Sequence, residues 1–158
     1  MTHESSPPGP TATVSLREIT QETVIPIIRL SDTLSDAQKK MVAPNAVSIA
    51  QAHFDPHAWF RAVYADDVPV GFIMLYDSPE ENEYFLWRFM IAGPYQGKGY
   101  GRKAIQLLMD YVRTRPGASH LLVSCGEGEG SPEGFYRRLG FDRNGKKYGD
   151  EVGMQLGL

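Results

Sequence analysis

Six consecutive residues, Gln96-Gly97-Lys98-Gly99-Tyr100-Gly101, combine the types that a backbone needs to hold an anion. Three glycines alternate with larger residues, so the chain can turn tightly, reach positive φ and bring bare N–H groups close to a ligand. Upstream, Tyr84 to Ala92 is rich in aromatic and aliphatic residues and free of Gly and Pro, which predicts a mostly buried strand ended by Gly93 and Pro94. Downstream, Ala104, Ile105, Leu108, Tyr111 and Val112 recur at three- and four-residue spacing and predict a helix with one apolar face, stopped by Pro116 and Gly117. The first-turn amides of such a helix lack internal partners and sit at the positive end of its dipole. Strand, loop and helix together predict a pyrophosphate cradle, with Lys98, Arg102 and Lys103 adding positive charge.

Two other nucleotide-binding designs open in the same way. A P-loop requires Gly, four residues, then Gly-Lys and Ser or Thr, and no part of the chain supplies that spacing. Gly99 to Ala104 does fit G-x-G-x-x-A, the dinucleotide fingerprint. Its acidic ribose ligand, about 20 residues on, would fall near His120 to Ser124, where there is no carboxylate. The alternating strands and helices of that design are also missing.

Written Q-x-x-G-x-G, the loop resembles motif A of the Gcn5-related N-acetyltransferases, in which loop amides bind the pyrophosphate of coenzyme A. Phe135-Tyr136-Arg137-Arg138-Leu139-Gly140-Phe141 is similar to that family's later tyrosine, set just before a Gly-Phe pair. The interval accommodates one helix, roughly Gly101 to Thr114, and one strand, roughly His120 to Cys125, as the family fold requires. The resemblance spans nearly the whole chain after the first dozen residues. Within the family, the YQGKGYG and GEGSPEGFYRRLGF segments look most similar to the polyamine (spermine and spermidine type) acetyltransferases.

The resemblance implies an α/β fold: a single mixed, mostly antiparallel sheet of six to seven strands flanked by helices. It implies transfer of acetyl from acetyl-CoA to the primary amine of a small molecule, with a polyamine as one acceptor. A protein or peptide amine is the enzymatic alternative, and a coenzyme A-binding sensor without catalysis is the reading from another class. Tyr136 takes the role of the acid that protonates the departing thiolate. The pantetheine arm is assigned to Phe89, Met90 and Ile91, beside a bulge in the strand, and the pyrophosphate to Gln96, Gly97, Lys98, Gly99, Tyr100, Gly101 and Arg102. If no bulge intervenes, alternation puts Glu83, Phe85, Trp87 and Phe89 on one face. Glu83 is then the acidic choice for a base, with a solvated turn carboxylate as its plain alternative and a water chain as a substitute. On the acceptor side, Glu22, Glu83 and Trp87 are candidate contacts for an ammonium group, by charge pairing and cation–π attraction, among the carboxylates Glu18, Glu22, Asp32, Asp36, Glu80, Glu81 and Glu83. The sequence departs from the polyamine pattern in having Trp87, and not an acidic residue, before Arg88, and in Glu129 where many relatives carry asparagine.

The elements that must position these residues follow from punctuation. Met1 to Thr13 contains Ser-Ser-Pro-Pro-Gly-Pro and is expected to be a flexible tail, followed by one domain over residues 14–158. Val14 to Ile19 reads as a strand and Thr20 to Leu30 as a helix shortened by Pro26. A helical region from Ser35 towards His53 should break at Pro44. Trp59 to Ala65 and Val70 to Tyr76 read as a hairpin, and Phe141 to Lys147 and Val152 to Leu156 as closing strands. A helix bearing Tyr136 should start at Ser131 or Pro132, with Ser131 as N-cap. With 158 residues, net charge -3 and a pI near 5.8, the chain lacks the basic footprint of a nucleic-acid binder. One cysteine, Cys125, excludes an internal disulfide and offers no metal cluster, and it reads as packing in an apolar strand. No run approaches a membrane span, and no basic-then-apolar leader precedes the domain, so a cytoplasmic location is expected. An exposed edge strand could support a homodimer.

Overall fold

The apolar and aromatic runs do form strands. A computed structural model describes residues 6–158. Val14–Arg17 (β1), Ala58–Ala65 (β2), Val68–Ser78 (β3), Glu83–Ile91 (β4), His120–Cys125 (β5), Asp142–Tyr148 (β6) and Glu151–Gly157 (β7) make one sheet in the order β1-β2-β3-β4-β5-β7-β6. Every pairing is antiparallel except β4 with β5, which run parallel. The expected mixed, mostly antiparallel sheet is therefore present, with seven strands.

Helices cover both faces. Val24–Arg29 (α1), Asp36–Lys39 (α2) and Asn45–Phe54 (α3) precede the sheet's centre, Tyr100–Arg113 (α4) links β4 to β5, and Glu133–Arg138 (α5) links β5 to β6. Pro26 lies in the first turn of α1, where its missing N–H breaks no intrahelical bond. The break at Pro44 is real, since Pro44 is the N-cap of α3. Upstream, Ser35 and Gln38 form a reciprocal capping box on α2.

Two cores result, one on each face. On the first, α4 buries Ala104, Ile105, Leu108 and Val112 completely against Ile73, Leu75, Leu86, Leu121 and Met154. Tyr111 is half-buried at the margin, its ring stacked on Trp59 at 4.6 Å and its hydroxyl donating to Asp77. On the second, α1 and α3 cover Phe72, Met74 and Met90, with Ile27 fully buried.

The expected tail needs a correction. Met1 to Ser5 lie outside the described residues, but the stretch just before β1 is packed. The Tyr100 hydroxyl donates to the Gly9 carbonyl at 2.7 Å, Lys103 Nζ donates to the Pro10 and Ala12 carbonyls, and Ala12 is buried. Proline and glycine composition could not reveal that docking, because both donors come from a helix some 90 residues away. Among the described residues, no helix is long and apolar enough to cross a membrane, and no group of His, Cys, Asp and Glu is arranged to hold a metal ion.

Candidate active site

The site begins where two strands part. β4 and β5 pair at Phe85 with Leu122 and at Leu86 with Val123, and their ladder extends no further. Opposite β3, Leu86 aligns with Leu75 but Arg88 with Met74, which leaves Trp87 as the extra residue of a β-bulge. The bulge overturns the simple alternation expected for β4: Tyr84 and Leu86 face the first core, but after Trp87 it is Phe89 and Ile91 that do. Phe89 thus lies on the opposite face from Glu83, Phe85 and Trp87. Between the parted strands is a cavity of about 1170 Å³, lined by Phe85 to Ile91, the glycine loop, Val123 to Cys125 and residues of α5. That volume is at or above the upper end for small-molecule sites, roughly 300–1,000 Å³, and suits a long cofactor together with a second ligand.

The glycine loop closes one end. Gly97 and Gly99 have φ of +78° and +84°, and nothing lies within 4 Å of where a Cβ would stand. Gly99 is the N-cap of α4 with no side-chain cap, so the first-turn amides point outward without an internal partner. Gly101 serves a different purpose: a Cβ there would stand 3.2 Å from the Phe135 ring, which would have to shift by a few tenths of an ångström to admit it. Phe135 in turn stacks on Phe89 at 5.9 Å, which packs α5 against β4. Gln96 acts as a brace. Its Nε2 donates to the Ile91 carbonyl at 2.9 Å, and its Oε1 accepts from Gln38 Nε2 at 3.0 Å, joining the loop to β4 and α2. The expected cluster of three cations is reduced, because Lys103 holds the N-terminal segment and Lys98 does not line the cavity. Arg102 does. Gly97, Gly99, Tyr100 and Gly101 also line it, as do Phe89, Met90 and Ile91.

Tyr136 is the buried phenol of this cavity. It is 4% exposed, and its ring meets Phe135 and Phe141 edge-on at 5.4 Å each. Burial pushes its pKa well above the ordinary phenol value, with the charges of Cys125 and Glu151 adding to the rise, so it stays protonated at neutral pH. The helix that carries it begins at Glu133 with Pro132 as N-cap, one residue later than expected. Ser131 still serves that end, accepting from the Glu133 N–H and donating to the Gly126 carbonyl. Glu133 accepts from Arg137 and Arg143, which hold its carboxyl down at about 2 and fasten α5 to β6. Cys125 is buried with its thiol against the Met154 sulfur, and burial pushes its pKa up, which fits the packing role.

The acceptor side differs from expectation. Glu83 opens β4 opposite Ser78, and Glu22 is exposed before α1; neither lines the cavity. Trp87 does, with Tyr76 edge-on to its ring. None of the other carboxylates expected there lines it either. The acidic residue that does is Glu151, at the start of β7, whose Oε2 accepts from Ser124 Oγ at 3.1 Å. Its charge reaches Tyr136, Cys125 and Arg88. No local motif marks Glu151. Its place depends on β5 pairing with β7, with Cys125 opposite Val152, a register that sequence patterning does not specify.

Comparison with known proteins agrees with this geometry. The model of the acetyltransferase (GNAT) family matches residues 27–141. No curated protein sequence matches the chain. Among solved structures, an acetyltransferase from Thermus thermophilus is similar in fold at 18% identity and a TM-score of 0.74, over 92% of this chain and 97% of that one. An acetyl transferase from Salmonella typhimurium that modifies the N-terminal serine of a 50S ribosomal subunit protein gives 15% and 0.76, over 94% and 97%. The PaiA N-acetyltransferase from Thermoplasma acidophilum, solved with coenzyme A, gives 18% and 0.66, over 92% and 99%.

Proposed function

The chain belongs to the acetyltransferase (GNAT) family of acetyl-CoA-dependent N-acetyltransferases, and from that premise we propose that it acetylates the primary amine of a small molecule by direct transfer, without an acyl-enzyme. One observation carries this reading. The uncapped, glycine-rich start of α4 and the protonated Tyr136 phenol open into the same cavity, at the point where β4 leaves β5.

Bound acetyl-CoA supplies an activated acetyl thioester. The residues fit such a donor: amides at Gly97 to Gly101 and the Arg102 guanidinium receive the pyrophosphate, and the β4 edge at Phe89 to Ile91, left without a β5 partner, receives the pantetheine arm. The amine nitrogen forms its bond to the acetyl carbon as the carbon–sulfur bond breaks. Tyr136 gives its phenolic proton to the departing sulfur. Glu151 takes the proton that the attacking nitrogen loses, directly or through water, and Ser124 orients its carboxylate. This assigns the base to Glu151 in preference to Glu83, because Glu151 lines the cavity and Glu83 does not. Cys125 needs no part in the chemistry, since its thiol is buried against Met154.

Release of thiol from acetyl-CoA across a panel of small amines, peptides with free N-termini and amine-free controls tests the reading. Saturable, amine-dependent release with a small molecule is the expected result. Tight acetyl-CoA binding with no release for any acceptor would favour a sensor, and release with peptides alone would move the assignment to a protein substrate.

A further inference from the structure

Three arginines among the described residues are half-buried: Arg61, Arg88 and Arg115. A cation taken out of water needs a carboxylate or a full set of hydrogen bonds in exchange. Arg61 faces Glu18 at 3.7 Å, and Arg115 faces Asp77 at 3.1 Å. Arg88 has no carboxylate within ion-pairing distance among the described residues. It donates to the Trp87 carbonyl at 3.0 Å and to the neutral Gln51 side chain at 3.1 Å, and its Nε is buried with no acceptor. Desolvation lowers its pKa accordingly, with Glu151 opposing the shift.

The position of Arg88 matters as much as its lack of a partner. It lines the cavity at the bulge, beside Trp87, where β4 separates from β5, and not at the glycine loop. Among the described residues, the cavity-lining cations are Lys39, Lys40, Arg88, Arg102 and Arg138, against the single carboxylate Glu151. Arg102 lies in the first turn of α4, where a phosphate accounts for it, and Lys39, Lys40 and Arg138 are exposed to water. Arg88 is left without an assigned anion.

We propose that Arg88 receives an anionic group on the acceptor, so that the amine acetylated here also carries a carboxylate or comparable oxyanion. The inference rests on the acetyl-transfer reading above. A guanidinium presents its donors as a fork that matches a carboxylate in plane, and a carboxylate offers it an opposite charge and two parallel hydrogen bonds where the neutral Gln51 amide oxygen accepts only one. Glu151 lines the same cavity, so an acceptor with an ammonium at one end and a carboxylate at the other finds an opposite charge for each. A polyamine finds one carboxylate and a surplus of cations.

Calorimetry on the protein saturated with coenzyme A tests this, using ω-amino acids of graded chain length against diamines and simple alkylamines of matched length. The best amino acid should bind at least about tenfold more tightly than the best diamine, the size expected of one charge-assisted contact. Arg88→Gln should erase that advantage and leave coenzyme A affinity unchanged, and Arg88→Lys, which keeps the charge without the fork, should retain part of it. Diamines that bind the unmodified protein as tightly as the amino acids do overturn the proposal, as does an undiminished preference in folded Arg88→Gln. If Arg88→Gln does not fold, the ranking by the unmodified protein and the response of Arg88→Lys decide. Thiol release with the same ligands is read separately: an amino-acid preference without turnover removes the acetyl-transfer reading and leaves the anion site, whereas turnover that favours diamines does the reverse.

Discussion

Tyr136 and Glu151 divide the proton traffic, and they differ in how a sequence reveals them. Tyr136 sits in a local pattern, a tyrosine before Gly140 and Phe141, and the same Phe141 packs edge-on against its ring. Glu151 has no such context; it reaches the cavity through pairing between β5 and β7, which is a property of the folded sheet. Glu83 looked suitable because unbroken alternation aligned it with Phe89, and the Trp87 bulge cancels that alignment. Replacing Tyr136 with phenylalanine keeps the ring contacts and removes the proton, so kcat should fall about 10²-fold or more, in the range of a general acid, with acetyl-CoA affinity nearly unchanged. Steady-state kinetics beside cofactor titration checks this, and an unaltered kcat removes Tyr136 from the chemistry. For Glu151→Gln, kcat/KM should drop roughly 10- to 100-fold near pH 7 and recover as the pH rises towards the amine's own pKa of about 10, where free base no longer needs a proton acceptor. A loss that stays constant across pH would mean that Glu151 only supports structure.

At the scale of elements, the start of α4 is both the most legible feature and the most exacting. Glycine spacing, the preceding apolar strand and the amphipathic helix all lie within one contiguous stretch, so local physics sufficed to place them. Their ties to the rest of the fold were hidden. Gln96 braces Ile91 and Gln38, Gly101 makes room for Phe135, and Lys103 is diverted to the segment before β1. Apart from the Gln96–Ile91 bond, which spans five residues, these contacts join residues more than 30 positions apart, with no periodicity to announce them. Gly99→Asp tests the cradle itself. Asp is among the residues that tolerate positive φ, so the loop should keep its shape while a carboxylate crowds the amides meant for phosphate. Coenzyme A affinity should fall at least about tenfold, a loss of ~1.4 kcal/mol, whereas Gly99→Asn, of similar size without the charge, should lose less. Equal affinity in a folded Gly99→Asp protein would remove phosphate from this loop.

Taken as a whole molecule, the sheet does two jobs that require its strands to disagree. β1 to β4 form a continuous antiparallel half closed by α1 and α3 on one face and α4 on the other, and β5, β7 and β6 form a second half; the two halves meet in a parallel contact two residue pairs long. Fully buried Ile105 and Leu108 of α4 share one core with Ile73 of β3 and with Leu121 and Met154 of the second half, so the gap can stay open without loosening the core. Strand number and mixed topology were legible from turn signals and the family resemblance, but the gap was not, since it arises from the bulge and from the register of two strands joined by α4. The central claim is that this gap seats the acetyl donor with its sulfur at Tyr136. A crystal structure of the protein with coenzyme A tests it most directly. The account predicts pyrophosphate oxygens on the amides of Gly97 to Gly101, pantetheine along Phe89 to Ile91, and the thiol within hydrogen-bonding reach of the Tyr136 hydroxyl. Coenzyme A bound outside the gap, or in it with its sulfur directed away from Tyr136, would contradict it.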